Sequence, residues 1–107
     1  MEPSTLYSAI EVFRNMDPEI HAQTVQTFLL VASKDPTPVK MTALGRALGI
    51  AQSSVTRNVQ LLSHTNRYGK DGHDLLRSWV NPKNQREKFV ELTSAGRRLV
   101  TVLQAIK

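Results

Sequence analysis

The sequence contains no cysteine. That absence excludes disulfides, thiol nucleophiles, thiol redox sensing and cysteine-ligated zinc together. Long hydrophobic runs are missing as well. The longest apolar stretch, residues 28–32, falls far short of the roughly 20 residues a membrane helix needs. Glu2 and Glu11 stand where a signal peptide would be basic, so the sequence reads as soluble and cytoplasmic, with no membrane partner. Acidic residues are in short supply: nine Asp and Glu face fourteen Lys and Arg, a formal net charge of +5. An anionic partner follows, nucleic acid first. At 107 residues there is room for one domain but not for separate catalytic and regulatory halves. The 40% hydrophobic content is that of a chain that folds, since disorder goes with fewer apolar side chains.

The charge is unevenly spread. Residues 1–38 hold two basic and five acidic residues, a net of −3, whereas residues 39–107 hold twelve basic and four acidic, a net of +8. A basic stretch can be no more than a solvated surface, so the placement of its residues decides what it is for.

Residues 4–15 carry Leu6, Ile10 and Phe13 at helical spacing behind Ser4, which predicts a short amphipathic helix. Asp17 suits an N-cap, with Pro18 in the first helical position and Glu19 in the first turn, so a second helix is expected from there to about Ser33, with Ile20, Val25, Phe28, Leu29 and Ala32 inward. Pro36 and Pro38 break it. Thr42 is the expected cap of a third helix running through Leu48, with Leu44, Ala47 and Leu48 buried. Gly49 suits the left-handed residue that ends it. A fourth helix starts near Gln52, where Val55, Val59 and Leu62 share one face and Ser53, Thr56, Arg57 and Gln60 the other. Two short helices about a glycine turn, the second with a polar and basic outer face, make a helix-turn-helix.

Residues 75–80 and 88–92 suit strands, with Trp79 and Phe89 expected in the core at the root of the hairpin. Residues 81–86 form a basic polar connection between them. Thr93 is the expected cap of a last helix over 93–107, with Leu99, Val100, Leu103 and Ile106 inward. The whole is a mainly α fold with a small β-wing: a winged helix-turn-helix over 39–92, flanked by N-terminal helices in 1–34 and a C-terminal helix in 93–107, as a single domain.

Four segments in order, residues 41–50, 53–57, 81–86 and 90–99, resemble the MarR-like winged-helix transcription regulators, the last being the most specific. The resemblance implies a homodimer on duplex DNA, the fourth helix in the major groove, the wing along the minor groove or backbone, and the first and last helices at the dimer interface. Three features depart from the pattern. Asn84 replaces the Asp that orients the wing arginines, the 64–74 connection is longer and more polar, and the last helix is shorter.

The chemistry of the residues points the same way. Arg57 and Gln60 suit base edges, Arg for guanine and Gln for adenine, while Gln52, Ser53, Ser54 and Thr56 suit phosphate or short base contacts. The helix amides near Gln52 and Ser53 favour a phosphate. On the wing the candidates are Lys83, Asn84, Gln85 and Arg86, with Arg86 also a possible internal prop. Arg67 and Lys70 in the long connection are further candidates for the DNA backbone, and residues 69–72 have turn chemistry. His21, His64 and His73 are too scattered for a metal motif. The His73 and Asp74 pair has no nucleophile or phosphate-binding glycine loop beside it. No enzyme, metal or cofactor is therefore expected, and no residue points to a small-molecule effector.

The function that follows is a sequence-specific double-stranded DNA-binding transcriptional regulator, a repressor acting as a homodimer on a palindromic site. The alternatives are a winged-helix protein-interaction module, such as an antirepressor or accessory factor, and a replication or partition protein with the same DNA chemistry.

Overall fold

A computed structural model describes residues 1–64 and 72–107. The chain runs α1 (Pro3–Met16), α2 (Ala22–Lys34), β1 (Val39–Lys40), α3 (Met41–Leu48), α4 (Gln52–Leu62), β2 (Leu76–Asn81), β3 (Asn84–Leu92) and α5 (Ser94–Gln104). The strands form one antiparallel sheet in the order β1-β3-β2. This is the expected winged helix-turn-helix between flanking helices. The expected positions Arg67 and Lys70 lie outside the described residues, as do residues 69–71 of the expected turn. Among the described residues no helix is long and apolar enough to cross a membrane.

The core lies where α2, α3, α4 and the sheet converge. Phe28, Leu44, Val55, Leu62 and Val90 are fully buried there, and Phe13 reaches it from α1 to meet Phe28 edge-on, ring centroids 5.8 Å apart. The periodic residues Val55, Val59 and Leu62 form the inner face of α4, as their spacing predicts. Gly49 closes α3 at φ +68°, a conformation that only glycine adopts without strain, and the amides of Gly49 and Ile50 both bond to the Gly45 carbonyl.

Several boundaries differ from expectation. Asp17 does not open α2. It ends α1, and its carboxylate accepts the Glu19 amide at 3.0 Å while its carbonyl accepts that of Ile20, so residues 17–20 form a turn. A short acidic side chain that bonds locally favours such a turn as readily as a cap. The helix starts at Ala22, after His21. Thr42 is likewise not a cap: β1 runs directly into α3, Met41 enters the core, and Thr42 is an exposed residue inside the helix. Ala47 faces solvent, and Gly45 takes the buried place instead. Two-residue β1 was not expected, being too short to show alternation; it pairs Val39 with Val90 and covers the second edge of β3.

Other differences concern apolar side chains. Leu6, Ile10 and Leu29 lie inward by periodicity yet remain 53%, 41% and 44% exposed, because nothing in the single chain covers that side of α1 and α2. Trp79 and Phe89 are not core. They stack across the outer surface of the wing with centroids 5.8 Å apart, and the Arg77 guanidinium lies 6.0 Å from the indole. The last helix ends at Gln104, short of Lys107.

Thr93 caps α5 as expected. Its hydroxyl accepts the Gly96 amide at 3.0 Å and donates to the Asp74 carbonyl at 2.6 Å, tying β3, α5 and the start of β2 together. A side chain at Gly96 would overlap the Leu75 carbonyl oxygen, which is itself held by the Thr93 amide. Backbone cannot move aside as a flexible side chain can. Gly96→Ala is therefore expected to cost about 1–3 kcal/mol by overpacking, read from the denaturant midpoint; an unchanged midpoint would show that α5 shifts freely.

Candidate nucleic-acid interface

The turn between α3 and α4 fixes the angle at which α4 leaves the core, and the buried stripe of α4 fixes which face it turns outward. Ser53 and Arg57 are exposed on that face, and Thr56 and Gln60 are half-buried beside them. Ser54 is half-buried too. Gln52 is exposed but committed, because its side-chain amide occupies the space over Gly45 that any Cβ there would fill. No side chain caps α4. The Ser54 and Val55 amides bond to the Ala51 carbonyl, which leaves those of Gln52 and Ser53 without an intrahelical acceptor.

The wing is tighter than the sequence suggests. Asn81 pairs with Asn84, so the turn proper is only Pro82 and Lys83, and Asn84, Gln85 and Arg86 belong to β3, all exposed. An irregularity in register follows the turn: Val80 pairs with Lys88. Two asparagines organise this end. The Asn81 side-chain Oδ1 accepts the Lys83 backbone amide at 2.9 Å, and Asn84 Oδ1 accepts the Arg86 backbone amide at 3.2 Å. Asn84 thus orders the backbone at Arg86, and Arg86 has no ion-pair partner among the described residues and projects as a free cation rather than a prop. Asn81 also donates to Glu87 at 2.8 Å, and Lys40 pairs with the same carboxylate at 3.1 Å. The Asn81 bond first, and then Lys40, hold the Glu87 carboxyl below its ordinary value of 4.5. The wing is thereby tethered to β1.

The other described cations divide clearly. Arg77 pairs with Glu91 at 2.5 Å, and Arg97 makes a two-pronged contact with Asp35 at 3.1 and 3.3 Å that raises its pKa further. Among the described residues Arg57, Lys83 and Arg86 have no carboxylate partner, and neither have Lys34, Arg46, Lys88, Arg98 and Lys107. The candidates therefore form two exposed sets, one on α4 and one on the wing, and no direct contact joins them.

Sequence reasoning missed one side chain of α4. Asn58 is buried to 4% exposure, and its carbonyl oxygen accepts the Thr24 hydroxyl at 2.8 Å, linking α4 to α2. Its position three residues after Val55, on the apolar stripe, was the available signal. Of the histidines, His73 approaches Asp17 at 3.7 Å and His21 precedes α2. Among the described residues no group of three possible metal ligands converges.

No family model and no curated protein matches the sequence. Solved structures do match the fold. A MepR variant from a multidrug-resistant S. aureus clinical isolate superposes over 100% of this chain and 67% of its own, at TM-score 0.73 and 19% identity. The S. aureus MepR–DNA complex matches 96% of this chain and 73% of its own, at TM-score 0.71 and 17% identity. The fold is the MarR-like winged helix. The PcaV transcriptional regulator of Streptomyces coelicolor, solved with its natural ligand, shares this winged helix over 94% of the chain at TM-score 0.62 and 19% identity; the chain covers 66% of PcaV. This winged helix thus spans about two-thirds of the length of such regulators.

Proposed function

We propose that this protein is a sequence-specific double-stranded DNA-binding transcriptional regulator that acts as a repressor, binding a palindromic site as a homodimer. The observation that carries the reading is the outer face of α4. Ser53, Thr56, Arg57 and Gln60 lie on the solvent side of a helix whose other side is core, in a fold that S. aureus MepR brings to DNA. An α-helix of this kind fits the major groove, where Gln60 matches adenine and Ser53, Ser54 and Thr56 are short enough for close contact. Gln52 serves through its backbone amide. Lys83, Asn84, Gln85 and Arg86 reach the phosphates on either side of the groove from the wing.

The dimer reading rests on uncovered apolar surface. A groove of about 460 Å³ between α1, α2 and α5 is lined by Leu6, Ile10, Leu29, Val100, Leu103 and Ile106, and exposed leucines and isoleucines clustered in this way mark an association surface. A second copy would cover it and set two α4 helices about one DNA turn apart.

Selection of bound sequences from a random duplex pool tests the proposal, with a palindrome as the expected product. Binding to a protein partner that survives high salt, with no affinity for duplex DNA, would instead establish the interaction-module alternative. Lys83 gives a separate expectation. Lys83→Ala should weaken binding to all duplexes alike and lower the slope of log affinity against log salt by about one; a loss confined to one sequence would remove Lys83 from the backbone contacts.

A further inference from the structure

A cavity of about 620 Å³ lies between the start of α2 and the outer side of α4, lined by His21, Ala22, Gln23, Arg57, Asn58 and Leu61. Its chemistry is one-sided. His21 makes no side-chain cap, and the Thr24 and Val25 amides both bond to the His21 carbonyl. The Ala22 and Gln23 amides therefore have no acceptor within the helix, at the end where its dipole is positive. Arg57 adds a guanidinium. Asn58 adds the decisive group: its side-chain nitrogen is buried and has no hydrogen-bond partner among the described residues, although its oxygen is spent on Thr24. A buried amide N–H left unpaired is costly, and native structures keep such a group where something else satisfies it. The Leu61 carbonyl is already taken by the His73 amide, and among the described residues no carboxylate lines the cavity. The wall thus offers hydrogen-bond donors and positive charge.

We propose that this cavity is an oxyanion site that receives a phosphodiester group of the DNA backbone, held by the Ala22 and Gln23 amides, the Asn58 side-chain amide and the Arg57 guanidinium. The assignment rests on the DNA-binding reading above and refines it, because Arg57 belongs both to the outer face of α4 and to the cavity wall. A phosphate held there locks α2 and α4 to the backbone together, and so fixes the depth at which α4 enters the groove. Arg57 then acts on phosphate, and base recognition passes to the shorter side chains and Gln60.

Two variants test this without disturbing the fold. Gln23→Glu puts a negative charge at the exposed start of α2, which the helix dipole favours and a bound phosphate does not. Ala22→Pro removes one amide hydrogen at the first helical position, where proline is favoured, and His21 already has the extended backbone (φ −82°, ψ 148°) that proline requires before it. Binding of the full chain to its selected duplex is measured with each phosphate in turn replaced by a neutral methylphosphonate. One phosphate per half-site is expected whose neutralisation costs the wild type about tenfold, as for a hydrogen bond to a charged group, and costs Gln23→Glu and Ala22→Pro much less. Losses that simply add at every phosphate in both variants would overturn the proposal and leave the DNA-binding reading standing. If the wild type binds no duplex, that reading fails first. Inorganic phosphate is then titrated into the free chain while the amide resonances of Ala22, Gln23 and the Asn58 side chain are followed. Saturable shifts would replace the DNA phosphate with a free anion, and their absence would remove the site.

Discussion

Replacing Phe28 with alanine is expected to lower stability by about 3–5 kcal/mol, the largest effect of any single substitution considered. Phe28 has no solvent exposure, lies near the middle of α2, and meets Phe13 edge-on at 5.8 Å with an interplanar angle of 67°. Truncation removes transfer energy, leaves a cavity between three helices, and also strips Phe13 of the partner that holds α1 to the body. A domain of this size has about 5–15 kcal/mol in total, so the melting temperature should fall by roughly 15–30 °C. Calorimetry or thermal denaturation checks it. A loss below about 1 kcal/mol would mean that α1 collapses into the gap, as happens where surrounding structure relaxes easily. The variant that survives at low temperature should keep its DNA affinity, because Phe28 lies among the core residues and lines neither the α4 surface nor the wing.

Much of this architecture is legible in the sequence because it depends on local rules. Val55, Val59 and Leu62 mark the inner face of α4 by spacing alone, Gly49 marks the left-handed turn, and Thr93 marks the start of α5. Each needs only its own neighbours. What sequence misplaces depends on partners far along the chain. Asp17 has the side chain of a helix cap but closes a turn, and Val39 and Lys40 become a strand only because β3 lies alongside. Trp79 looks like core by hydrophobicity, yet the wing has a second face with nothing behind it, so the indole stacks on Phe89 in the open. The candidate site divides in the same way. The α4 residues follow from helical period, whereas the oxyanion cavity joins α4 to the start of α2, an approach that no spacing within either segment specifies.

The net charge of the basic part needed the structure to become informative. Lys40, Arg77 and Arg97 spend their charge on Glu87, Glu91 and Asp35, and these pairs tether the wing to β1, join β2 to β3, and hold α5 to the loop after α2. Exposed pairs of this kind add little stability, but they withdraw three cations from any role toward a ligand. Of the charge left for an external anion, Arg57 stands on α4 and Lys83, Arg86 and Lys88 on the wing, while Lys34, Arg46, Arg98 and Lys107 are exposed elsewhere.

Arg57→Ala should then lower DNA affinity by about 1–3 kcal/mol, roughly five- to 150-fold, and the distribution of that loss identifies the partner of the guanidinium. A base-edge contact is lost only on the cognate sequence, so the ratio of cognate to random affinity would fall. A phosphate contact is lost on every sequence, so the ratio holds and the salt slope drops by about one. Because Arg57 lines the same cavity as the Asn58 side chain and the first amides of α2, the uniform loss is expected. Arg57→Lys should keep much of the affinity, since a phosphate accepts a point charge where a bidentate guanine contact would not. Measurement on the selected palindrome and on a scrambled duplex, each at several salt concentrations, separates the cases. A collapse of specificity with an unchanged salt slope would return Arg57 to base reading and leave the α2 cavity without its cation.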